Sequence, residues 1–232
     1  MPGMDGSRYT HLIYLSLWLA VVPLVAINVS YLVAVSAEHA PACIPHLSGC
    51  TSVSAVGRAG LESLIFKSGM LTSAIALVLL WHRAASFLHG EGASASTLLL
   101  LRVVAVFAAI SLTLYALTLG AKGDNFRLLR RIGMDGFAIG NLIAQIIFIV
   151  LYRPLTIEAT RKLLRWLIAF CIAVPLLGVA SELAKWLGTP RRATNYLVAW
   201  NAFVAVSAYY AVLARVWWHH RRSDGRATSP SE

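Results

Sequence analysis

Six long apolar stretches alternate with short polar connections along this chain, near His11–Ala34, Leu61–Trp81, Thr97–Leu119, Met134–Tyr152, Leu163–Trp186 and Tyr196–Trp218. Each is close to the ~20 residues a helix needs to cross hydrocarbon. Charges fall between the stretches and are not spread through amphipathic periods, so the stretches read as membrane spans. No connection exceeds about 30 residues, which leaves no room for a separate soluble domain of the usual ~50–250 residues. The pattern predicts an all-α fold, a polytopic membrane helix bundle of six transmembrane helices. Residues 1–232 form one domain, and 219–232 form a basic, disordered cytoplasmic tail.

Composition agrees with this pattern: 58% of the 232 residues are apolar and 13% are charged. Val35-Ser36-Ala37 has the look of a signal-peptide cleavage site. The apolar run before it is much longer than the ~7–15 residues of a signal core, so the first span reads as a retained anchor. The formal net charge is +10. Its basic residues cluster beside spans, as in Arg127, Arg130 and Arg131, or Arg161, Lys162 and Arg165, or Arg215, Arg221 and Arg222. Next to a bilayer such residues meet lipid head groups, and no nucleic-acid partner is expected.

With the N-terminus inside, ten Lys and Arg fall on the inner side and eight on the outer, a weak vote for cytoplasmic termini. Cys43 and Cys50 share the connection between the first two spans, and a bond between them belongs on the oxidising side of a membrane. The two clues together place this connection outside and the Gly90–Ser96 connection inside. His39, Cys43, His46 and Cys50 also have zinc-compatible spacing, the less favoured reading, so no metal is assigned. Cys171, alone in the fifth span, reads as packing.

Polar residues inside spans are costly and therefore informative. Glu62 and Lys67, Arg131 and Asp135, Glu182 and Lys185, and Asn195 and Asn201 all fall in the outer half. Glu182 and Lys185, three apart, can pair on one helix face. Lys185 and Arg131 are long enough to snorkel to water. Glu62, Asp135 and Asn201 are short and need nearby partners. Asn141 and Gln145 sit a turn apart in the fourth span, where hydrogen bonding between helices is an equal explanation. Gly136-x-x-x-Gly140 reads as close helix contact, Pro175 as a kink in the fifth span, and Arg102 as a residue snorkelling to the inner head groups.

Common catalytic constellations do not occur: there is no His-Glu-x-x-His, no phosphate-binding Gly-Lys-Ser/Thr loop and no Gly-x-Ser-x-Gly turn. The seven histidines lie at span ends, in connections or in the tail. Ser54 with Glu62 or His46 would be a hydroxyl with a base, but a loop serine is more often a turn or cap residue. No catalytic residue and no cofactor is assigned.

Three segments resemble the six-span membrane family that includes the damage-regulated autophagy modulators (DRAM), the post-GPI-attachment-to-proteins lipid-remodelling factor and their fungal relatives. The family pattern Ser-Asp-x-Gly-x-x-x-Pro-Glu-x-x-(Ile/Leu)-Phe is matched by Ser54, Gly57, Glu62 and Phe66, with Ala55 for the Asp and Leu61 for the Pro. The fourth span begins Arg131-Ile132-Gly133-Met134-Asp135-Gly136-Phe137, with Arg131 where the family tends to have His. The last span carries Ala199-Trp200-Asn201-Ala202-Phe203 and then Tyr209-Tyr210, without the family's acid before the tryptophan. The resemblance implies six helices, cytoplasmic termini and a role in lipid remodelling, lipid distribution or membrane trafficking. It implies no particular reaction.

The residues and the resemblance together give one expectation: an outer-leaflet polar cavity for a lipid head group, shaped by Ser54, Gly57, Glu62, Lys67, Asp135, Glu182, Trp200 and Asn201. Membrane lipids are the expected partners, with a second copy or another membrane protein left open. The alternatives are an integral-membrane lipid acyltransferase or hydrolase using Ser54, Glu62 or His46, and a small-solute transporter. The latter lacks the paired broken helices expected of transporters.

Overall fold

A computed structural model describes residues 7–227, with side chains placed for 9–223. Eight α-helices follow in chain order: α1 Ser7–Ser36, α2 Pro45–Ser48, α3 Val53–Val56, α4 Gly60–Gly90, α5 Ala95–Thr118, α6 Asp124–Tyr152, α7 Glu158–Trp186 and α8 Arg191–Ala227. A single 3-10 turn, Arg153–Leu155, joins α6 to α7, and no strand occurs among the described residues. α1, α4, α5, α6, α7 and α8 are each long and apolar enough to cross a membrane. The protein is an all-α, multi-pass membrane bundle.

The helices outrun the apolar stretches that announce them. α4 continues nine residues past Trp81 to Gly90, and α6 starts ten residues before Met134, at Asp124. Hydropathy marks only the part of a helix in hydrocarbon, whereas backbone hydrogen bonding carries the helix on through the interface. The tail expectation needs the same correction. α8 runs on through residues 219–227 as helix, and 228–232 lie outside the described residues.

Neighbours pack in the order α6, α5, α4, α1, α8, α7, so the first and last spans lie side by side. Lipid tails are as apolar as leucine, so close contact, not expulsion of apolar surface from water, holds such helices together. Gly133, Gly136 and Gly140 line α6 where it meets α5. A β-carbon on them would come within 2.7 Å of the Tyr115 backbone nitrogen, 2.7 Å of Ser111 Oγ and 3.0 Å of Ala108 Cβ. The core is aromatic, with Trp81, Phe148, Tyr209, Tyr210, Trp200 and Trp217 fully buried. Leu176, Val179 and Leu183 of α7 are exposed, as befits a surface solvated by lipid. α7, a continuous helix through Pro175, packs along α8 and barely touches α6.

Candidate functional site

The alternation of six spans puts the connections α1–α4, α5–α6 and α7–α8 at one end, called here the disulfide end, and the start of α1 and the end of α8 at the other, the terminal end. Residues 37–59 form a cap over the disulfide end. Cys43 and Cys50 are bonded, with Cα atoms 6.7 Å apart. Tyr31 on α1 holds the first of them: its hydroxyl accepts from the Cys43 backbone N–H at 2.9 Å and lies 2.7 Å from the Cys43 carbonyl. Gly49, at φ +58°, ends α2 and presses on α8 so closely that a β-carbon would meet the Ala193 carbonyl oxygen at 2.1 Å. Glycine is the residue that tolerates both the left-handed backbone and the contact.

Four of the expected site residues belong to the cap and not to a cavity. Trp200 is fully buried and donates its indole N–H to the Thr51 carbonyl at 2.9 Å. The Asn201 amide donates to the His46 carbonyl at 3.0 Å. Glu62 is 2% exposed, and its Oε1 lies 2.6 Å from Nδ1 of the half-exposed His39. Ser30 donates to the Glu62 carbonyl at 3.0 Å. Gly57 packs so tightly on the Phe66 ring that a β-carbon would come within 2.7 Å of it. His46, packed edge-on against Trp200 at 4.9 Å between ring centres, donates through Nε2 to Asn28 Oδ1 at 3.3 Å. Burial lowers its pKa below the ordinary 6.5.

Two further expected residues stand apart. Lys67 is half-buried on α4 with no hydrogen bond or ion pair among the described residues, and Glu182 pairs with Lys185 near the end of α7. The eight residues therefore do not form one cavity. Depth along a span says which end a residue occupies, but not which way around the bundle it points.

A cavity of about 580 Å³ does open at the disulfide end, among the cap, α5, α6 and α8. Of the expected residues it takes Ser54 and Asp135. The cap adds Ser52 and Arg58; α6 adds Arg127, Arg130 and Arg131; α8 adds Asn195 and Phe203. Four guanidinium groups thus surround one carboxylate, and the site is basic where acids were expected to lead. The sequence signal for it was the spacing of Arg127, Arg131 and Asp135 at steps of four, one face of a helix, once α6 is known to begin at Asp124.

The arginines are not equally engaged. Arg130 donates twice from Nη1, at 2.9 Å to the Thr118 and 2.9 Å to the Ala121 carbonyl, which satisfies acceptors left open where α5 ends. Arg58 donates from Nε to the Ser54 carbonyl at 3.1 Å. Arg127 lies 3.4 Å from Asp124, both well exposed. Arg131 and Asp135 make no hydrogen bond or ion pair among the described residues. A guanidinium facing a polar cavity with open donors is a receptor for phosphate or carboxylate.

The hydroxyl-and-base arrangement does not assemble. Ser54 Oγ has Ser52 Oγ at 3.2 Å and Arg58 Nη2 at 3.5 Å as its neighbours, while Glu62 and His46 are engaged elsewhere. Nor do His39, Cys43, His46 and Cys50 converge: the sulfurs are bonded to each other and each histidine has a different partner. Below the cavity, a smaller one of about 50 Å³ lies between α6 and the α7–α8 pair. It is lined by Ala138, Asn141, Leu142, Gln145, Val174 and Val206 among others, and it shares Met134 and Phe203 with the cavity above. Comparison with family models, with characterised proteins and with solved structures finds no match.

Proposed function

We propose that this multi-pass membrane protein receives a lipid head group in its arginine-lined cavity and acts as a factor in lipid remodelling or lipid distribution. One observation carries the reading: a space of about 580 Å³ lined by four arginines at the disulfide end of a bundle whose lateral surface is otherwise apolar. That size lies within the ~300–1,000 Å³ of small-molecule sites. The family resemblance of Ser54, Gly57, Glu62 and Phe66 points the same way. In this proposal the termini are cytoplasmic and the cavity opens toward the outer leaflet, in keeping with the Cys43–Cys50 bond.

The test is the lipid that remains with the full chain after purification in mild detergent. Near-stoichiometric lipid, lost when Ala199→Trp fills the cavity, is the expected result; only detergent-background lipid in the unaltered protein would overturn the proposal. Ser54→Ala separates this reading from acyl transfer or hydrolysis, since binding survives loss of a loop hydroxyl and a nucleophilic reaction does not. Transport of a solute would need a path joining the two ends. The cavity between α1 and α4 at the terminal end, about 520 Å³, has no lining residue in common with the basin or with the spaces beneath it.

A further inference from the structure

We infer that the arginine basin and the groove beneath it form one site for an anionic phospholipid, the phosphate held by Arg58 and Arg131 and one acyl chain laid between α6 and the α7–α8 pair. This rests on the lipid-binding reading above and goes further by fixing the charge of the lipid and its route. Charge comes first. The lining places Arg58, Arg127, Arg130 and Arg131 against Asp135 alone, so a neutral or cationic occupant would leave an excess of positive charge unanswered. Arg130 is committed to the end of α5, and Arg127 has Asp124 for company. Arg131, without a partner among the described residues, and Arg58, held by Nε to the Ser54 carbonyl with Nη2 3.5 Å from Ser54 Oγ, are the donors left for phosphate. Guanidinium suits that ion because two N–H groups can meet two phosphate oxygens in parallel.

Shape gives the second half. Met134 and Phe203 line both spaces, so the groove continues from the floor of the basin. From Met134 to Gln145 along α6 is eleven residues, or about 16 Å at ~1.5 Å per residue, close to half of a ~30 Å hydrocarbon core. The enclosed space, about 50 Å³, has room for a few methylenes, so the groove grips part of the chain and the rest of it faces the bilayer. The groove wall is largely apolar there, with Ala138, Leu142, Val174 and Val206. α7 leans on α8 and hardly touches α6, which leaves the groove open sideways to the bilayer. A free phosphate compound would use the basin and ignore the groove; a lipid uses both.

The experiment is native mass spectrometry of the full chain released from nanodiscs of phosphatidylcholine containing phosphatidylglycerol, phosphatidylserine or phosphatidylinositol, with glycerol 3-phosphate as a soluble competitor. The unaltered protein should retain anionic lipid over phosphatidylcholine, and Arg131→Gln and Arg58→Gln should each cut that preference by about tenfold, the loss of one charge-assisted contact. Ala138→Phe, which narrows the groove, should weaken retention of every phospholipid and leave competition by glycerol 3-phosphate in place. Melting temperature checks that each variant is folded. Retention of phosphatidylcholine as strong as that of anionic lipid, unaffected by Arg131→Gln, would overturn the anionic assignment while sparing the lipid reading. Indifference to Ala138→Phe with displacement by glycerol 3-phosphate would make this a phosphate site without a chain groove. Retention of no lipid at all would remove both readings.

Discussion

The two ends of the bundle are built on different principles. At the terminal end the helices close on rings: Phe87 and Phe148 pack on Trp217 at 5.2 and 5.6 Å between centres, and Tyr9 meets Phe87 at 5.9 Å. Tyr152 ties three helices there, 2.6 Å from His220 Nε2 on α8 and 3.1 Å from Thr160 Oγ1 on α7. At the disulfide end the anchoring side chains Tyr31, Trp200, Asn201 and Arg130 bond to backbone groups of connections. The rings join the helices directly to one another, and a cavity of about 520 Å³ lies beside Tyr9 and Phe87 between α1 and α4. At the disulfide end the helices are held in addition through the cap, and the basin of about 580 Å³ opens among the cap, α5, α6 and α8.

The difference matters for what moves. Most of residues 37–59 are exposed or part-exposed and reach α1 and α8 through a few side-chain bonds, so the cap can open locally while the ring cluster stays packed.

Trp217→Ala should give the largest effect. It removes a fully buried indole that touches Phe87, Phe148 and Tyr152, and in lipid, where the packing term dominates, the cost is about 3 kcal/mol, the low end for such a truncation. Unfolding in detergent should register it while lipid retention by the folded fraction is unchanged. If the retained lipid fell in step with stability, the ends would not be independent and the contrast would fail.

Breaking Cys43–Cys50 by Cys→Ser at both positions comes next. The ring is short, so the chain-entropy contribution is at most about 2–3 kcal/mol, and the effect should be local to the cap. Hydrogen exchange should quicken in residues 37–59 while α4 and α8 near Trp81 and Trp217 stay protected. Faster exchange throughout the bundle would mean that the cap is not a separate unit.

Glu62→Gln distinguishes framework from basin. The buried carboxylate meets His39 away from the arginines, and losing the charge-assisted bond should cost about 1–2 kcal/mol, felt in the cap. The set of retained lipids should stay as it is. A changed lipid profile with unchanged exchange would return Glu62 to the binding site.

Those residues also show how far the chain could be read in advance. The six spans were legible because hydrocarbon imposes a length and a composition. The end of the bundle occupied by Glu62, Asp135, Glu182 and Asn201 followed from counting turns. Their azimuth did not follow: Glu62 faces α1 and the cap from α4, a helix apolar all round with no amphipathic stripe to orient it, while the polar face of α6 that places Asp135 in the basin shows only once the helix is known to begin at Asp124. The arginines of α6 were read as residues near head groups, yet they seemed to lie in a connection, since hydropathy starts the span at Met134 and hides the helical turns before it. Trp200 and Asn201 looked like ligand contacts and are loop anchors instead, a distinction that depends on where residues 46 and 51 come to lie.

His46 offers the gentlest way to probe the cap. Its ring lies between Trp200 and Asn28, and burial depresses its pKa below 6.5, so the folded protein binds that proton less readily than the unfolded chain. The contribution to stability is then fully present above about pH 6.5 and is lost as pH falls toward and through the lower folded-state value. Protonation costs little in bonding, since Nε2 donates to Asn28 in either form; the cost lies in the water that partial burial takes from the charged ring. Comparing cap hydrogen exchange at about pH 8 and about pH 5, outside and inside this window, should show faster exchange at the acid pH. His46→Gln can keep a donor toward Asn28 without a titrating group, and should remove a part of that pH dependence while leaving the ring cluster at the other end untouched. An acid-induced change as large in His46→Gln as in the unaltered chain would place the sensitivity outside His46.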